Sequence, residues 1–590
     1  MKQFLITVGA VLTAFFLFFI ALPFILIVSI AAASKPVAPS SVTLLVDLRE
    51  GLTDQSRPTP FDFITGKSLS TMDVVQALHN AASDPKVKSV LIRLPEGGMM
   101  PAAAEEIRAA VLHVRKANKT VIAHSQGLYP DTLVMASYAV GASASELWMQ
   151  PRSAFHVTGI ATESLFYKRA FDKYGISPEM EQRYEYKNAV NPYLYSDFTP
   201  EHREATLSML GGIYESLTSA VAQDRPEKKR DAAALRAVLE AGPYSAEKAL
   251  ELGLITKLGQ VHEAEREALS KGDANTALLD VRDYNRMSTS SGSVTIAVIN
   301  AEGPIMTGKG VPQAFGGDAQ ILSDDTSKAF YDAIDNDAVK AIIFRVSSPG
   351  GTDTASEQIA QAVKAAKDAG KPVIVSMGDY AASGGYWISA DASAIVANPS
   401  TLTGSIGVYG GKLAIGDALS RFGLDMRQIG VGGDYAGAYA AGKEFTPAQK
   451  ASISGWIDQV YEAFIQKVAK GRNLAPEKVR DIAKGRVWTG AQAQKIGLVD
   501  KLGGFYTAVD EAKKLAKISD NTKVKLVNYP NHNSPFAAFG AAADSATNGL
   551  KALSFFGWAM SDPQAEAVMR DVKRARMQEE GANVLAPQPY

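Results

Sequence analysis

The chain contains 590 residues, of which 61 are basic and 62 are acidic, and its formal net charge is −1. A chain this long exceeds what a single hydrophobic core usually supports, so we expect more than one domain. The balanced charge provides no field that would attract nucleic acid, and the absence of cysteine excludes disulfides, thiolate metal ligands and a cysteine nucleophile.

The N-terminal segment is long and apolar, since residues 4–33 contain no charged side chain. A helix of this length, at about 1.5 Å per residue, exceeds the roughly 30 Å hydrocarbon core of a bilayer. We therefore predict a transmembrane anchor over residues 4–33 rather than a cleaved signal peptide, whose apolar stretch is roughly 7 to 15 residues long. Lys2 and Lys35 flank the two ends, so the charge does not decide the orientation.

The rest of the chain contains the same module twice. SVTLLVDLREG from Ser41 recurs as SVTIAVINAEG from Ser293, and KSVLIRL from Lys88 recurs as KAIIFRV from Lys340, both at an offset of 252 residues. A repeat of this length indicates a pair of related domains rather than a solenoid. We predict a first repeat over residues 41–270, a linker over 271–292, a second repeat over 293–530 and a C-terminal tail over 531–590.

Short apolar runs alternate with helical patterns inside each repeat. For the second repeat the patterns predict strands over 294–300, 341–346 and 372–377, with helices over 324–336 and 356–370. Such alternation is typical of βαβ units and a mostly parallel sheet. The predicted fold class is therefore α/β, with two tandem βαβ-rich repeats after the N-terminal transmembrane helix.

Ser383 is a candidate nucleophile. It stands between Ala382 and the pair Gly384 and Gly385, directly after the third predicted strand and at the start of a helix. Small neighbours allow close approach of a substrate, and amides at a helix start can receive an oxyanion. The alternative is that a small serine merely fits a tight turn. The first repeat has Asp131 at the equivalent position and lacks the glycine pair, so the fold does not require Ser383.

A nucleophilic serine needs a base, and the only histidine of the second half lies far along the tail. Aligning the two FTP segments places Lys187 of the first repeat opposite Asp434 of the second. A lysine can act as a general base when its surroundings lower its pKa from about 10.4 toward 7 or 8. Tyr184, Tyr186 and Val190 are candidates for such surroundings. The alternative is an ordinary solvated lysine.

Taken together, these segments resemble the signal peptide peptidase A (protease IV) family in its long two-repeat bacterial form, within the Clp-protease and crotonase-like superfamily. The resemblance covers residues 41 to about 512. It rests on AASGGYW around Ser383, STLTGSIG from Ser400, SSPGG from Ser347 and YKNAV around Lys187. Each repeat is accordingly expected to have a Clp-protease/crotonase-like fold.

The resemblance assigns roles to individual residues. It implies that Ser383 is the nucleophile, that Lys187 is the general base and that Ser405 hydrogen-bonds and orients the lysine. It also implies that the amides of Gly350 and Gly384 form the oxyanion hole. No metal or cofactor is implied.

The same resemblance implies a membrane-anchored serine endopeptidase that degrades cleaved signal peptides and similar apolar peptides. It implies a single-pass protein of the bacterial inner (cytoplasmic) membrane, with a cytoplasmic N-terminus, periplasmic catalytic repeats and assembly as a homotetramer. Two alternatives stay open from the residues alone: a crotonase-like acyl-CoA enzyme and a non-catalytic membrane scaffold. A serine-reactive fluorophosphonate probe separates them, because neither alternative should be labelled at Ser383.

Overall fold

The computed structural model describes residues 39–55, 68–131, 133–287, 292–310, 319–530 and 584–585, together with Phe18. The predicted anchor over residues 4–33 lies outside the described residues apart from Phe18, and so does the predicted tail apart from residues 584 and 585. Among the residues that the structure describes, no helix combines the length and the apolar character needed to cross a bilayer.

The first repeat is built on a parallel sheet with the strand order β8-β4-β3-β2-β1-β9. Its strands are β1 (Val42–Asp47), β2 (Val87–Arg93), β3 (Thr120–Ser125), β4 (Glu146–Met149), β5 (Ala154–Phe155), β6 (Ser177–Arg183), β7 (Tyr244–Ser245), β8 (Lys257–Leu258) and β9 (Ala277–Asp280). Val90, Leu91 and Ile92 of β2 are all fully buried, as expected for a parallel strand covered on both faces.

Helices cover both faces of this sheet. They are α1 (Thr71–Ser83), α2 (Pro101–Lys116), α3 (Val134–Ser143), α4 (Lys168–Tyr174), α5 (Asn191–Leu194), α6 (Pro200–Asp224), α7 (Ala232–Glu240), α8 (Ala246–Glu251), α9 (Val261–Leu269) and α10 (Val281–Met287). Local sequence explains where the first of them begins, because Ser70 and Asp73 form a capping box at its N-terminus.

The second repeat contains a larger sheet with the main strand order β19-β17-β15-β13-β10-β21, and β16 and β20 extend it beside β15. Its strands are β10 (Val294–Glu302), β11 (Ile305–Met306), β12 (Ile321–Leu322), β13 (Val339–Ser348), β14 (Gly350–Gly351), β15 (Val373–Ala382), β16 (Ala394–Ala397), β17 (Leu402–Gly404), β18 (Val408–Ala414), β19 (Val487–Thr489), β20 (Lys501–Leu502), β21 (Val524–Tyr529) and β22 (Val584–Leu585). Its helices are α11 (Ser323–Ile334), α12 (Asp353–Asp368), α13 (Gly384–Trp387), α14 (Gly416–Ser420), α15 (Pro447–Arg472), α16 (Pro476–Ile482), α17 (Gly490–Lys495) and α18 (Phe505–Leu515).

The predicted strand and helix order of the second repeat is confirmed, and so is the mixed α/β class with a mostly parallel sheet. One difference matters for the site. The strand predicted over 372–377 continues as far as Ala382, because its polar end pairs in parallel with β17 at Tyr380, Ala381 and Ala382. The apolar pattern stops at Met377, so it does not reveal this extension.

Part of the predicted linker over 271–292 is ordered secondary structure. Residues 277–280 form β9, which pairs in parallel with β1, and residues 281–287 form α10. Val281 and Tyr284 are buried, and the Asn285 side chain donates to the Asp73 carbonyl at 2.9 Å. These residues therefore belong with the first sheet, and a four-residue strand is too short for its periodicity to be recognised. The other domain boundaries stay predictions.

The two repeats are joined by polar contacts as well as by the chain. The Arg345 side chain, which is 1% exposed, lies between Asp54 and Glu106 of the first repeat, with nitrogen to oxygen distances of 2.5 and 3.4 Å. Removing one partner of such a buried charge pair typically costs about 3–5 kcal/mol. These buried charges therefore link the two repeats directly.

A strand pair also crosses the interface. Strand β6 of the first repeat pairs antiparallel with β18 of the second, with Arg183 opposite Val408. This pairing brings the chain segments around Lys187 and Ser405 to the same place.

Candidate active site

Ser383 occupies a strained turn between a strand and a helix. Strand β15 ends at Ala382 and α13 begins at Gly384, so Ser383 is the N-cap residue, with φ 55° and ψ −119°. A positive φ at a residue with a Cβ costs on the order of 1–3 kcal/mol. The Ser383 amide donates to the Gly404 carbonyl at 2.8 Å, and its carbonyl accepts from the amides of Tyr386 and Trp387, both at 2.9 Å. These contacts hold the strained conformation.

The two glycines after Ser383 lie in close contact with neighbouring segments. A Cβ on Gly384 would lie 2.7 Å from Ser356 Oγ and 3.0 Å from the Gly351 nitrogen. A Cβ on Gly385 would lie 2.7 Å from the Ser348 carbonyl oxygen. The SGG turn therefore packs directly against the SSPGG segment, and this explains why both motifs are made of small residues.

Lys187 of the first repeat contacts Ser383 of the second. Its Nζ lies 2.8 Å from Ser383 Oγ, 3.0 Å from the Ser405 carbonyl oxygen and 3.1 Å from Ser405 Oγ. The lysine side chain and both serines are fully buried. Three acceptors match the three donors of an ammonium group, so Nζ is held in one position.

The surroundings of Lys187 change its acidity. Burial lowers the pKa of Lys187 to about 7, because desolvation disfavours the charged ammonium. A large fraction of the lysine is then neutral near pH 7, and a neutral amine can accept the Ser383 hydroxyl proton.

The expectation about the neighbours of Lys187 is only partly correct. Val190 is buried, but Tyr184 is 46% exposed, so it does not provide an apolar cover. The Tyr184 ring instead packs edge-on against Tyr461, with ring centroids 5.0 Å apart. Tyr186 is half-buried and lies under the Arg486 guanidinium.

A loop of the second repeat also holds the lysine segment, and sequence reasoning missed it. The Lys484 carbonyl accepts from the amides of Tyr184 and Tyr186 at 3.2 and 3.1 Å, and the Arg486 carbonyl accepts from the Ser405 amide at 2.7 Å.

Gly485, between these two residues, has φ +82°, and a Cβ there would lie 2.5 Å from Lys187 Cβ. Only glycine therefore leaves room for the lysine. A lone glycine just after a helix is also typical of an ordinary helix end, so the sequence gives no specific signal for this role.

The glycines expected to form the oxyanion hole lie beside Ser383. Gly384 is the first residue of α13, a position whose amide has no acceptor within its helix. The Gly350 amide donates to Ser348 Oγ at 3.1 Å, and a Cβ on Gly384 would lie 3.2 Å from Gly350 Cα. The two peptide units are thus close together, and the Gly350 amide has Ser348 Oγ as its acceptor.

Comparison with known proteins gives consistent matches. Residues 114–275 and 365–519 match the family model described as peptidase family S49, one segment in each repeat. Protease 4 of Salmonella typhi is 34% identical over 464 residues, which are 76% of this chain and 72% of that protein. Protease 4 of Haemophilus influenzae is 33% identical, over 78% of this chain and 75% of the relative. The chloroplastic serine protease SPPA of Arabidopsis thaliana is 30% identical, over 82% and 70% respectively.

Proposed function

The chain belongs to peptidase family S49 and is a serine peptidase, and from this premise we propose that it cuts peptides with a Ser383/Lys187 dyad assembled from both repeats. Membership of a peptidase family argues against the two alternatives, the acyl-CoA enzyme and the non-catalytic scaffold. The observation that carries the proposal is the 2.8 Å contact between Lys187 Nζ and Ser383 Oγ inside a fully buried site.

In the proposed mechanism, neutral Lys187 takes the proton of the Ser383 hydroxyl while Oγ forms a bond to the carbonyl carbon of the scissile peptide. The carbonyl electrons move to the oxygen, which the amides of Gly384 and Gly350 receive as an oxyanion. The Lys187 ammonium then gives its proton to the leaving amine, and the C–N bond breaks. Water hydrolyses the resulting Ser383 ester, with Lys187 again acting as the base.

Ser405 is the orienting residue in this proposal. Its carbonyl and hydroxyl oxygens both accept hydrogen bonds from Lys187 Nζ, so the amine stays directed toward Ser383 throughout the cycle. The Ser405 backbone is itself at φ 48°, a second strained residue within the same site.

The substrate is proposed to bind as an added β-strand. Strand β14 (Gly350–Gly351) pairs with β11 on one side, and on the other it pairs antiparallel with β22 (Val584–Leu585) of the same chain. We propose that a substrate strand takes the place of β22 at this edge of β14, beside the turn that contains Ser383. Main-chain hydrogen bonds along such an edge provide affinity and pockets for alternate side chains provide specificity, which suits extended apolar peptides such as cleaved signal peptides.

The cellular setting is part of the same proposal. The apolar segment over residues 4–33 supports a single-pass anchor in the bacterial inner membrane, with the catalytic repeats in the periplasm. Assembly as a homotetramer and membership of the Clp-protease/crotonase-like superfamily stay predictions from the family resemblance.

A fluorophosphonate probe tests the proposed nucleophile, because it reacts with an activated serine. We expect the full-length protein to be labelled at Ser383 and an apolar peptide ester to be hydrolysed. Ser383→Ala should abolish both, whereas Ser89→Ala, which changes a buried serine of the first sheet, should leave both unchanged. Labelling that persists in Ser383→Ala would reject the assignment.

A further inference from the structure

Helix α2 of the first repeat buries two consecutive glutamates, Glu105 and Glu106, against the second repeat. Buried carboxylates are rare unless hydrogen bonds or charges compensate them. Glu106 has such partners, because it accepts from the Asn398 side chain at 2.6 Å and lies beside Arg345. The partner of Glu105 is Ser400, which precedes β17 and Ser405 in the chain.

Glu105 holds one residue of the second repeat at two points. The Ser400 amide donates to Glu105 Oε2 at 2.8 Å, and the Ser400 hydroxyl donates to Oε1, also at 2.8 Å. Burial raises the pKa of Glu105 to about 7, while the two hydrogen bonds from Ser400 lower it and favour the ionised form. This buried carboxylate therefore fixes both the backbone and the side chain of Ser400.

Ser400 begins the segment that carries the acceptors of the dyad. Strand β17 follows at Leu402–Gly404, its Gly404 carbonyl accepts from the Ser383 amide at 2.8 Å, and Ser405 comes next. The position of this strand therefore determines both the strained backbone of Ser383 and the two oxygens that hold Lys187.

The same helix also contacts the strand that carries Ser383. The Ala103 amide, in the first turn of α2, donates to Asp379 Oδ1 at 3.1 Å, and Asp379 lies on β15, which ends directly before Ser383. Helix α2 thus makes two contacts with the second repeat near the dyad. The Ala103 amide contacts β15 at Asp379, and the Glu105 side chain contacts Ser400, just before β17.

From this geometry we propose that Glu105 is a positioning residue for the Ser383/Lys187 dyad, acting from the first repeat through Ser400 and β17. The inference rests on the proposed function. Reacting groups must stay within about 0.5 Å of their productive geometry, and a misplacement of about 1 Å can cost on the order of 100-fold in rate. The first repeat then contributes to the site twice, directly with Lys187 and indirectly with Glu105.

Two substitutions of Glu105 test this role. Glu105→Ala leaves the Ser400 amide and hydroxyl without their buried acceptor, so we expect kcat to fall about 10-fold to 100-fold with KM changed less than about 2-fold. Glu105→Gln keeps the shape, since its side-chain oxygen can accept from Ser400 and its NH2 group can donate to Ser400 Oγ. This conservative variant should recover most of the lost kcat.

A matched control lies on the same helix. Arg108 and Asp224 form an ion pair within the first repeat, with nitrogen to oxygen distances of 2.6 and 2.7 Å. Asp224→Asn should lower the melting temperature without changing kcat. If Asp224→Asn and Glu105→Ala lose kcat in proportion to their loss of stability, a positioning role is rejected.

Ser400→Ala provides a second test if Glu105→Ala does not fold, because it removes one of the two bonds and retains the amide contact. We expect a several-fold loss of kcat with KM and the melting temperature nearly unchanged, since only one of the two hydrogen bonds is lost. A kcat equal to that of the wild type would overturn the proposal. Absence of fluorophosphonate labelling at Ser383 in the wild-type protein would instead reject the dyad itself, so the two failures are distinguishable.

Discussion

The turn at Ser383 and its counterpart in the first repeat occupy the same place in the duplicated fold and differ in strain. In the second repeat, β15 runs directly into Ser383, and α13 begins one residue later. In the first repeat, β3 ends at Ser125, and a loop that includes Asp131 precedes α3 at Val134. Asp131 serves this loop locally, because its carboxylate accepts from the Leu133 amide at 3.2 Å.

At the position of Lys187, the unusual residue is in the first repeat and the ordinary one is in the second. Lys187 of the first repeat is fully buried, whereas the aligned Asp434 of the second repeat is exposed. Each repeat thus has one energetically unfavourable residue, the buried Lys187 in the first repeat and the strained Ser383 in the second. In each case the other repeat folds without an equivalent residue. Strain and perturbed pKa values that the fold does not require tend to mark functional sites. The comparison therefore supports a single site divided between the repeats.

The largest effect should come from removing either half of the dyad. Ser383→Ala and Lys187→Met should each lower kcat by roughly 10⁴-fold or more, and the double variant should lose little beyond either single one, because the pair acts as a unit. Lys371→Met is the matched control, since that lysine donates to three carbonyl oxygens at 2.6–2.8 Å near the other end of the sheet. If either dyad variant keeps a turnover near that of the wild type, Ser383 and Lys187 do not act together in one catalytic site.

The same lysine variant should be more stable than the wild type at neutral pH. Because the pKa of Lys187 is about 7 in the folded protein, the unfolded chain binds more protons between about pH 7 and pH 10.5. The free energy of unfolding should therefore rise with pH between these two values. Below about pH 7 the lysine is charged in both states, so the full unfavourable free energy of burying the charge remains. Lys187→Met removes that cost but also three hydrogen bonds, so we expect a net gain of about 1–3 kcal/mol at pH 7.

Urea unfolding of both proteins at pH 7 and pH 10 measures this difference. The difference in the free energy of unfolding between Lys187→Met and the wild type should become smaller as the pH rises. The other titrating groups are common to both proteins and do not contribute to this difference. A variant that is less stable than the wild type at pH 7 would show that the lysine stabilises the interface between the repeats.

The rate should follow the same ionisation. With the proposed neutral Lys187 as the base, kcat/KM should fall about 10-fold for each pH unit below about 7 and become constant at higher pH. A rate that does not change between pH 5 and pH 9 would contradict a titrating lysine. The profile is measured with an ester substrate whose own ionisation lies outside this range.

Much of the difference between the two repeats could be predicted from the sequence alone. The repeats, the order of strands and helices in the second copy and the strand-to-helix turn at Ser383 follow from periodicity and from the positions of small residues. The alignment of the two copies also pointed to Lys187, because the half that has Ser383 contains no histidine before its tail.

What the sequence did not reveal depends on contacts between distant segments. The pairing of β6 with β18, the contact of Gly485 with Lys187 and the burial of Glu105 against Ser400 join residues that are far apart in the chain. None of them has a local pattern. In the sequence Glu105 is simply a polar residue of an amphipathic helix, and its burial becomes evident only when the second repeat is in place.

A smaller effect is expected from the residue that orients the base. Ser405→Ala removes the hydroxyl at 3.1 Å from Lys187 Nζ but keeps the carbonyl at 3.0 Å. One hydrogen bond of about 1–1.5 kcal/mol corresponds to a loss of roughly 10-fold in kcat. Ser89→Ala, which removes a buried hydroxyl of the first sheet, should have no such effect. A loss as large as that of Lys187→Met would instead give Ser405 a direct part in proton transfer.

The smallest effect should come from the counterpart of the nucleophile. Asp131 lies in the loop of the first repeat that corresponds to the Ser383 turn, is exposed, and accepts from the Leu133 amide at 3.2 Å. Asp131→Ala should therefore change kcat and KM by less than about 2-fold, with a loss of stability below about 1 kcal/mol from the missing side-chain acceptor. The kinetics are compared with those of Ser383→Ala on the same peptide ester. A loss of activity without a loss of stability would mean that the first repeat contributes a carboxylate to the chemistry, and the site would then draw on equivalent positions of both copies.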